Sequence, residues 1–297
     1  MLLLLTGSED GTADRIVRNA RLPLFRFNLD LYSDYFIEFW PGRWRITNPT
    51  GLSIDSENAS RVFWWKAFSY GLDQDAFLHE ELKYIFRELY SWFGDRRLLI
   101  GNPPDLESRI GKLKQLEIAR NYFKTSESQL RVNSPFAIEK QKKYIVKSLT
   151  SGLTTSSKAM YTQEVDPADL DPKLIWYVQE MITSQKDVTV LVAGSDFFAY
   201  SRSREHLEGL DWRKDQFISN VPWLSYELSS QQTASIKSFL DALGVEWGRI
   251  DFMEVDKDLY FLEINLNGQW AFLDLENARG VISGVVNYIE TGKTHGY

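Results

Sequence analysis

Residues 249–270 read RIDFMEVDKDLYFLEINLNGQW and decide the fold of this chain. Two runs rich in strand-forming residues, 249–255 and 259–266, flank a polar turn at 256–258. Because side chains alternate along a strand, Glu263 and Asn265 share one face, and a three-residue loop centred on Lys257 places Asp251 directly opposite Glu263. Cross-strand neighbours lie about 5 Å apart, so two carboxylates there repel each other unless a positive charge lies between them.

A face of this kind is a candidate metal site. Asp251, Glu263 and Asn265 would offer only oxygen atoms, and this donor set suits Mg²⁺, which usually keeps some waters and shares the phosphates of a substrate. The alternative is an exposed acidic hairpin. That reading explains the turn, but it does not explain acids placed among Phe, Leu and Ile.

Bulk composition excludes several classes of protein. The chain has 297 residues, 43% hydrophobic and 25% charged, which fits a globular protein of two or three domains. A net charge of −7 argues against a general nucleic-acid binder. The absence of any long apolar run argues against a membrane span, and residues 1–5 read as a first strand rather than a signal peptide. Cysteine is absent, which rules out disulfides and thiolate metal sites and fits a cytoplasmic protein.

The order of predicted elements indicates an α/β (α+β) chain of three units. An N-terminal unit, 1–105, begins with a strand at 2–5 and contains helices at 10–20 and 76–93. A central unit, 106–195, begins with a helix at 106–123 rich in Lys and Arg, and contains strands at 144–149, 174–182 and 188–193. A C-terminal unit, 196–297, has helices at 229–243 and 278–290 on either side of the acidic hairpin.

Several polar residues near strand ends are candidates for nucleotide contacts. Lys147 ends an apolar run before a Ser/Thr/Gly-rich segment, where a lysine can reach phosphates. Gln179 and Glu180 end another run, where backbone groups can meet an adenine edge and a carboxylate can accept from its amino group. Asp187 begins a strand, and Arg213 can clamp a phosphoryl group. Each signal is weak alone, because a solvated lysine, a turn cap or a surface ion pair explains it equally well.

The chain is also rich in large aromatic residues, with ten tryptophans and eighteen phenylalanines. Most are expected in cores, where aromatics contribute much of the buried area. The clusters at 39–40 and 63–65 have a second interpretation as the lining of a peptide-docking groove.

Taken in order, these features resemble the ATP-grasp fold, and in particular the ATP-grasp ligases of the microviridin or graspetide type that mature ribosomal peptides. The resemblance covers nearly the whole chain, including an N-terminal pre-ATP-grasp α/β domain. The matching motifs are RLPLFRFN at 21–28, VFWWK at 62–66, NPP at 102–104, KLKQLEIA at 112–119, QEMI at 179–182, DVTV at 187–190, DWR at 211–213, FLEIN at 261–265 and GQW at 268–270. That family places a metal-binding Asp twelve residues before the Glu, and Asp251 occupies this place.

The resemblance implies an activity and a set of site residues. ATP would lie between the central and C-terminal units, and a mobile lid at 148–158 would exclude water. An Asp or Glu side chain of a ribosomal precursor peptide, bound through its leader segment, would become an acyl phosphate that a Ser/Thr hydroxyl or Lys amine displaces, closing a macrocycle. The implied residues are Lys112, Lys147 and Arg213 on the phosphates, the latter two with catalytic roles, Gln179, Glu180, Ile182 and Asp187 on the nucleotide, and Asp251, Glu263 and Asn265 on Mg²⁺.

Some alternatives stay open at this point. Thr189 stands where the family usually has Arg, so a positive contact is missing or moved, which favours a nucleotide- or peptide-binding relative that has lost catalysis. A ligase that adds free amino acids to a protein or a small molecule is another interpretation, and a plain interaction protein is a third. The sequence leaves ester or amide formation undecided, and it permits a homodimer.

Overall fold

The computed structural model describes residues 1–66, 75–102, 106–134, 139, 141–149, 161–205, 210 and 221–293, with the backbone alone at 107 and 108. These residues form a mixed α/β structure with four sheets. Among the helices that the structure describes, none is both long and apolar enough to cross a membrane.

The N-terminal unit is built on a parallel sheet of order β2-β1-β6-β7, covered on both faces. Its strands are β1 (Leu2–Thr6), β2 (Leu24–Asn28), β6 (Arg61–Trp64) and β7 (Leu99–Ile100), and a separate antiparallel sheet holds β3 (Phe36–Trp40), β4 (Arg43–Thr47) and β5 (Ser53–Asp55). Helix α2 (Ala76–Asp95) packs against the face that carries Leu3 and Leu5, and helix α1 (Gly11–Asn19) packs against the other. This burial on both sides explains why all residues of β1 are apolar except the last.

The central unit contains two short helices and an antiparallel sheet. The helices are α3 (Leu106–Arg109) and α4 (Lys112–Ala119), and the sheet has the order β11-β10-β12-β9, with β9 (Ser128–Val132), β10 (Tyr144–Lys147), β11 (Gln163–Val165) and β12 (Ile175–Glu180). The prediction of one helix over 106–123 is therefore wrong. The break falls at Gly111, whose extended backbone caps α4 and places Lys112 in its first turn.

The C-terminal unit is a six-stranded sheet of order β15-β14-β13-β16-β17-β8. Its strands are β8 (Lys124–Thr125), β13 (Lys186–Ala193), β14 (Asp196–Ser203), β15 (Leu224–Ser225), β16 (Trp247–Val255) and β17 (Asp258–Asn265), and the helices are α5 (Ser230–Leu243) and α6 (Val281–Thr291). Strand β13 thus belongs to the sheet of the acidic hairpin. The three-unit division remains a proposal, and this sheet membership favours a second boundary just before Lys186.

The large aromatic side chains join the N-terminal and C-terminal units. The rings of Trp65 and Trp247 lie 5.9 Å apart, and those of Trp247 and Trp270 lie 6.4 Å apart, all three in one buried cluster with α6. Phe63 and Trp65 are almost wholly inaccessible to solvent. Those two side chains therefore do not line a peptide groove as the second interpretation of that cluster required, because they form the core that holds the two units together.

Candidate functional site

The acidic hairpin has the predicted pairing but a different turn. Asp251 lies opposite Glu263, and Arg249 lies opposite Asn265. The loop has only two residues, Asp256 and Lys257, both with positive φ (51° and 72°), as a type I′ turn requires. A shorter loop alone shifts the register by one residue, but a bulge between Asp251 and Phe252 restores it. The facing carboxylates were thus predicted correctly from an incorrect loop length.

Positive side chains of the chain itself neutralise both carboxylates. Lys112, at the start of α4, donates a hydrogen bond to Glu263 Oε2. Arg249 forms a two-point contact with Asp251, from Nε to Oδ1 at 3.1 Å and from Nη2 to Oδ2 at 2.9 Å. Thr189 Oγ1 donates to Asp251 Oδ1 at 2.7 Å. The cations that the sequence argument required are therefore partly supplied by lysine and arginine.

These contacts set the protonation state of Glu263. Burial raises the pKa of this carboxyl, but Lys112, Lys147 and Arg249 together outweigh burial, so the pKa lies below its ordinary value of 4.5. Glu263 is consequently an anion at neutral pH. It is available as a ligand for a cation.

Lys147 lies at the end of β10, and its ammonium group contributes to the electrostatics at Glu263. Its Nζ donates to Gln179 Oε1 at 2.6 Å, and Gln179 Nε2 donates to Ser128 Oγ at 2.9 Å. Gln179 is buried, so its amide orients Lys147 and leaves no exposed edge for adenine. Sequence analysis assigned the adenine contact to backbone groups at this position, and that contact stays a prediction, while the side chain of Gln179 holds the lysine.

Other predicted nucleotide contacts lie near the end of β12 and on β13. Glu180 is half-buried and pairs with Lys142 at 3.3 Å, and Ile182 follows in the segment just after the strand, also half-buried. Asp187 is buried in a two-point contact with Arg204, at 2.7 and 2.9 Å. Burial raises the pKa of Asp187, partly offset by Arg204. Its carboxylate is thus directed to an arginine that directly follows the neighbouring strand β14.

Two predictions fall outside the described residues. Arg213 lies in the range 211–220, and most of the candidate lid, 150–158, lies in the range 150–160. Their roles remain predictions.

The main residue missed by sequence analysis is Arg249. It is buried and lies on the same face of β16 as Asp251, two positions away. The alternation rule that paired Glu263 with Asn265 also places Arg249 beside Asp251, so the signal was present in the sequence. Thr189 was noted as a departure from the family pattern. Its hydroxyl nevertheless contacts Asp251.

The donor set fits Mg²⁺ better than a softer metal. Among the described residues, no group of three or more His, Cys, Asp or Glu side chains forms a metal site. What the hairpin offers is two facing carboxylates and the amide of Asn265 two positions further along β17. Such a small all-oxygen set leaves coordination positions for water and phosphate, as Mg²⁺ sites usually do.

An open groove of about 710 Å³ lies at the start of β14, between the starts of α5 and α6. The half-buried rings of Phe197 and Phe198 line it, together with the exposed carboxylates of Asp196 and Glu227. Among the residues that line it, none is Lys or Arg. The groove therefore combines apolar rings with polar groups and two exposed carboxylates.

Comparison with known proteins finds similar structures but no matching sequence family. No protein-family model and no curated protein sequence matches it. The macrocyclase MdnC bound with precursor peptide MdnA, from Microcystis aeruginosa MRC, is similar in structure, with a TM-score of 0.80 and 20% identity over 97% of this chain and 98% of that chain. A Chryseobacterium gregarium RiPP-associated ATP-grasp ligase, in complex with ADP and a leader and core peptide, gives a TM-score of 0.77 and 23% identity over 97% and 96%.

A third similar structure is the ATP-grasp ligase PsnB complexed with a phosphomimetic variant of a minimal precursor, Mg and ADP. Its TM-score is 0.77, with 14% identity over 99% of this chain and 98% of that chain. Likeness over whole chains at these scores shows that the protein has the ATP-grasp fold. The fold predicted from the ordered motifs is confirmed.

Proposed function

We propose that the protein is an ATP-dependent carboxylate ligase that closes macrocycles in a ribosomal precursor peptide. The observation that carries this proposal is the row of Asp251 and Glu263 on adjacent strands, with Lys112, Lys147 and Arg249 converging on it. A nucleoside triphosphate bound with Mg²⁺ requires oxygen ligands for the metal and positive side chains for its phosphates. The two carboxylates provide the first, and the surrounding lysines and arginine provide the second. Similar structures with bound nucleotide and peptide support the choice of substrates.

Each charged group has a role in this proposal. Lys112, Lys147 and Arg213 would bind phosphate oxygens, and backbone groups around Glu180 and Ile182 would contact the adenine.

Asp251, Glu263 and Asn265 would hold Mg²⁺, which when bound would neutralise charge on the phosphates. Lys112 would then exchange Glu263 for a phosphate oxygen. Arg249 lies next to Asp251, the carboxylate proposed to hold the metal, where it would stabilise charge on the transferred phosphoryl group.

The reaction has two steps. A substrate Asp or Glu carboxylate oxygen attacks the γ-phosphorus, the bond to the β-phosphate oxygen breaks, and ADP leaves. A Ser/Thr hydroxyl or Lys amine then attacks the acyl carbon, loses its proton and displaces inorganic phosphate. The peptide loses one water per link. Positioning and charge stabilisation supply the rate, since no protein side chain needs to form a covalent bond.

The groove beside β14 is the best candidate for the leader segment. Its two phenylalanines offer apolar contact, and its two exposed carboxylates complement a leader segment with Lys or Arg between apolar residues. Binding measured with a fluorescent leader peptide should weaken when Asp196 and Glu227 are both changed to Lys. The change Asp241→Lys, on an exposed position of α5, should leave binding unaltered. Equal affinity of both variants would exclude the groove.

Mass spectrometry tests the activity itself. The protein is incubated with ATP, Mg²⁺ and a peptide that contains Asp or Glu together with Ser, Thr or Lys, and successive losses of one water are expected. Asp251→Asn should abolish both the mass loss and phosphate release. Asp258→Asn is the matched control, because Asp258 lies on the same hairpin in an exposed ion pair with Lys124. Equal activity of the two variants would contradict the proposed site.

The same assay separates the other interpretations. Phosphate release with free amino acids, but with no peptide, would favour a ligase for small acceptors. Nucleotide binding without release under any condition would favour a relative that has lost catalysis. A homodimer and a cytoplasmic location remain predictions from the sequence. Light scattering tests the first, and cell fractionation tests the second.

A further inference from the structure

Gln269 connects the N-terminal unit with the hairpin of the proposed site. It lies in the segment after β17, between the buried residues Gly268 and Trp270. Its side chain is bound entirely by residues at the start of α1. Thr12 Oγ1 donates to Gln269 Oε1, and Gln269 Nε2 donates to Asp10 Oδ2 at 3.0 Å.

The partners of Gln269 are themselves fixed. Asp10 caps α1 through Ala13 N at 2.7 Å and accepts from Trp65 Nε1 at 3.1 Å. Thr12 and Trp65 are buried. Because the amide of Gln269 finds its donor and its acceptor in this one helix start, the segment after β17 is held at one place on the N-terminal unit.

The backbone of Gln269 contacts the arginine of the site. Arg249 Nη1 donates to the Gln269 carbonyl oxygen at 2.5 Å, while Nε and Nη2 of the same guanidinium bind Asp251. A guanidinium bound at both ends has little freedom to rotate. The position of the Gln269 carbonyl therefore determines the position of Arg249.

We propose that Gln269 is a positioning residue through which α1 of the N-terminal unit fixes Arg249 against Asp251. The expected effect on turnover rests on the proposed function. The positioning of Arg249 by Gln269 does not depend on that function. Arg249 can stabilise charge on the transferred phosphoryl group only if its guanidinium is held within a fraction of an ångström of the required position. A misplacement of about 1 Å costs roughly a hundredfold in rate. The N-terminal unit thereby contributes to phosphoryl transfer without touching the nucleotide.

Three variants of the full chain test the proposal. Gln269→Met removes both polar atoms of the amide while keeping the length of the side chain. Thr12→Val removes one hydrogen bond to that amide. Thr47→Val is the matched control, since its hydroxyl hydrogen bond, to Ser53 Oγ at 2.7 Å, lies in the small sheet of the same unit.

Two measurements are made on each variant. The first is the Nε–H resonance of Arg249 by NMR, assigned with Arg249→Lys; it needs no substrate. The second is ATP turnover with peptide, with kcat and the KM for ATP separated. We expect Gln269→Met to shift or broaden the resonance and to lower kcat by about 10- to 100-fold, with the KM for ATP within about twofold. Thr12→Val should show the same effects more weakly, and Thr47→Val should show neither.

An unchanged resonance in Gln269→Met overturns the inference, whatever happens to turnover. So does an equal change in Thr47→Val, which would indicate general destabilisation. If Gln269→Met does not fold, Thr12→Val decides by the same two readouts. Absence of turnover in the wild-type protein refutes the proposed function instead, and the resonance still decides the positioning role.

Discussion

The contact between Lys112 and Glu263 gives a prediction with a measurable size. A double-mutant cycle of Lys112→Met and Glu263→Gln should yield a coupling free energy of about 1 kcal/mol at pH 7. A hydrogen bond between charged groups contributes about 1.5–3 kcal/mol, whereas an exposed ion pair contributes about 0.2–1 kcal/mol. The two side chains are 25% and 37% exposed, so solvent screening places this pair between the two cases. A loss of about 1 kcal/mol in a single variant should lower the melting temperature by about 1–2 °C.

The pH dependence of this coupling has a definite sign. The pKa of Glu263 lies below its ordinary value of 4.5, so the folded state favours the ionised carboxylate. The stabilisation is therefore complete above the unfolded-state pKa and is lost as the pH falls through the lower, folded-state pKa. Urea unfolding of the four proteins at pH 7, and in steps down to the pH at which the wild type unfolds, measures it. A coupling below about 0.3 kcal/mol at pH 7, or one that does not change with pH, would refute the assigned contact.

Three further outcomes follow from other contacts. Arg249→Met should lower kcat by about 10²–10³-fold, as measured by phosphate release, because a charge-stabilising donor is lost; a change below threefold would exclude that role. Gln179→Leu should raise the KM for ATP by roughly tenfold, because Lys147 loses the amide that orients it, and an unaltered KM would contradict the orienting contact. Gly284→Ala should destabilise the protein by about 1–3 kcal/mol in urea unfolding, because its new Cβ would lie 2.4 Å from Phe198 Cζ. The matched change Gly11→Ala meets no atom within 4 Å and should not destabilise, and equal costs would exclude a steric cause.

The order of strands and acids was predictable from local sequence pattern. The alternation in 249–255 and 259–266 determines which side chains share a face, and a polar turn between them predicts a hairpin. The turn type was not determined in the same way. A two-residue loop with a bulge and a three-residue loop without one both place Asp251 opposite Glu263. The positions of the two acids therefore do not distinguish between these two turn geometries.

Contacts between distant segments were not predictable. Gly111 is a local signal for a helix break within an otherwise continuous helical pattern, but nothing local shows that Lys112 then reaches Glu263, 151 positions away. Nothing local to Gln179 shows that its side-chain amide binds Lys147, 32 positions away. Such partners are decided by tertiary packing, which a single sequence pattern does not encode.

The replacement of the usual arginine by Thr189 was the main argument for a relative without catalysis. The structure weakens that argument, because the neighbouring strand supplies a guanidinium at the same carboxylate. Thr189 and Arg249 both contact Asp251, one through a neutral hydroxyl and the other through two charged hydrogen bonds. A positive group therefore lies beside the proposed metal ligand, and loss of charge at position 189 alone gives no reason to expect loss of phosphoryl transfer. If that reasoning holds, Thr189→Val should reduce turnover far less than Arg249→Met, and the reverse order would revive the inactive interpretation.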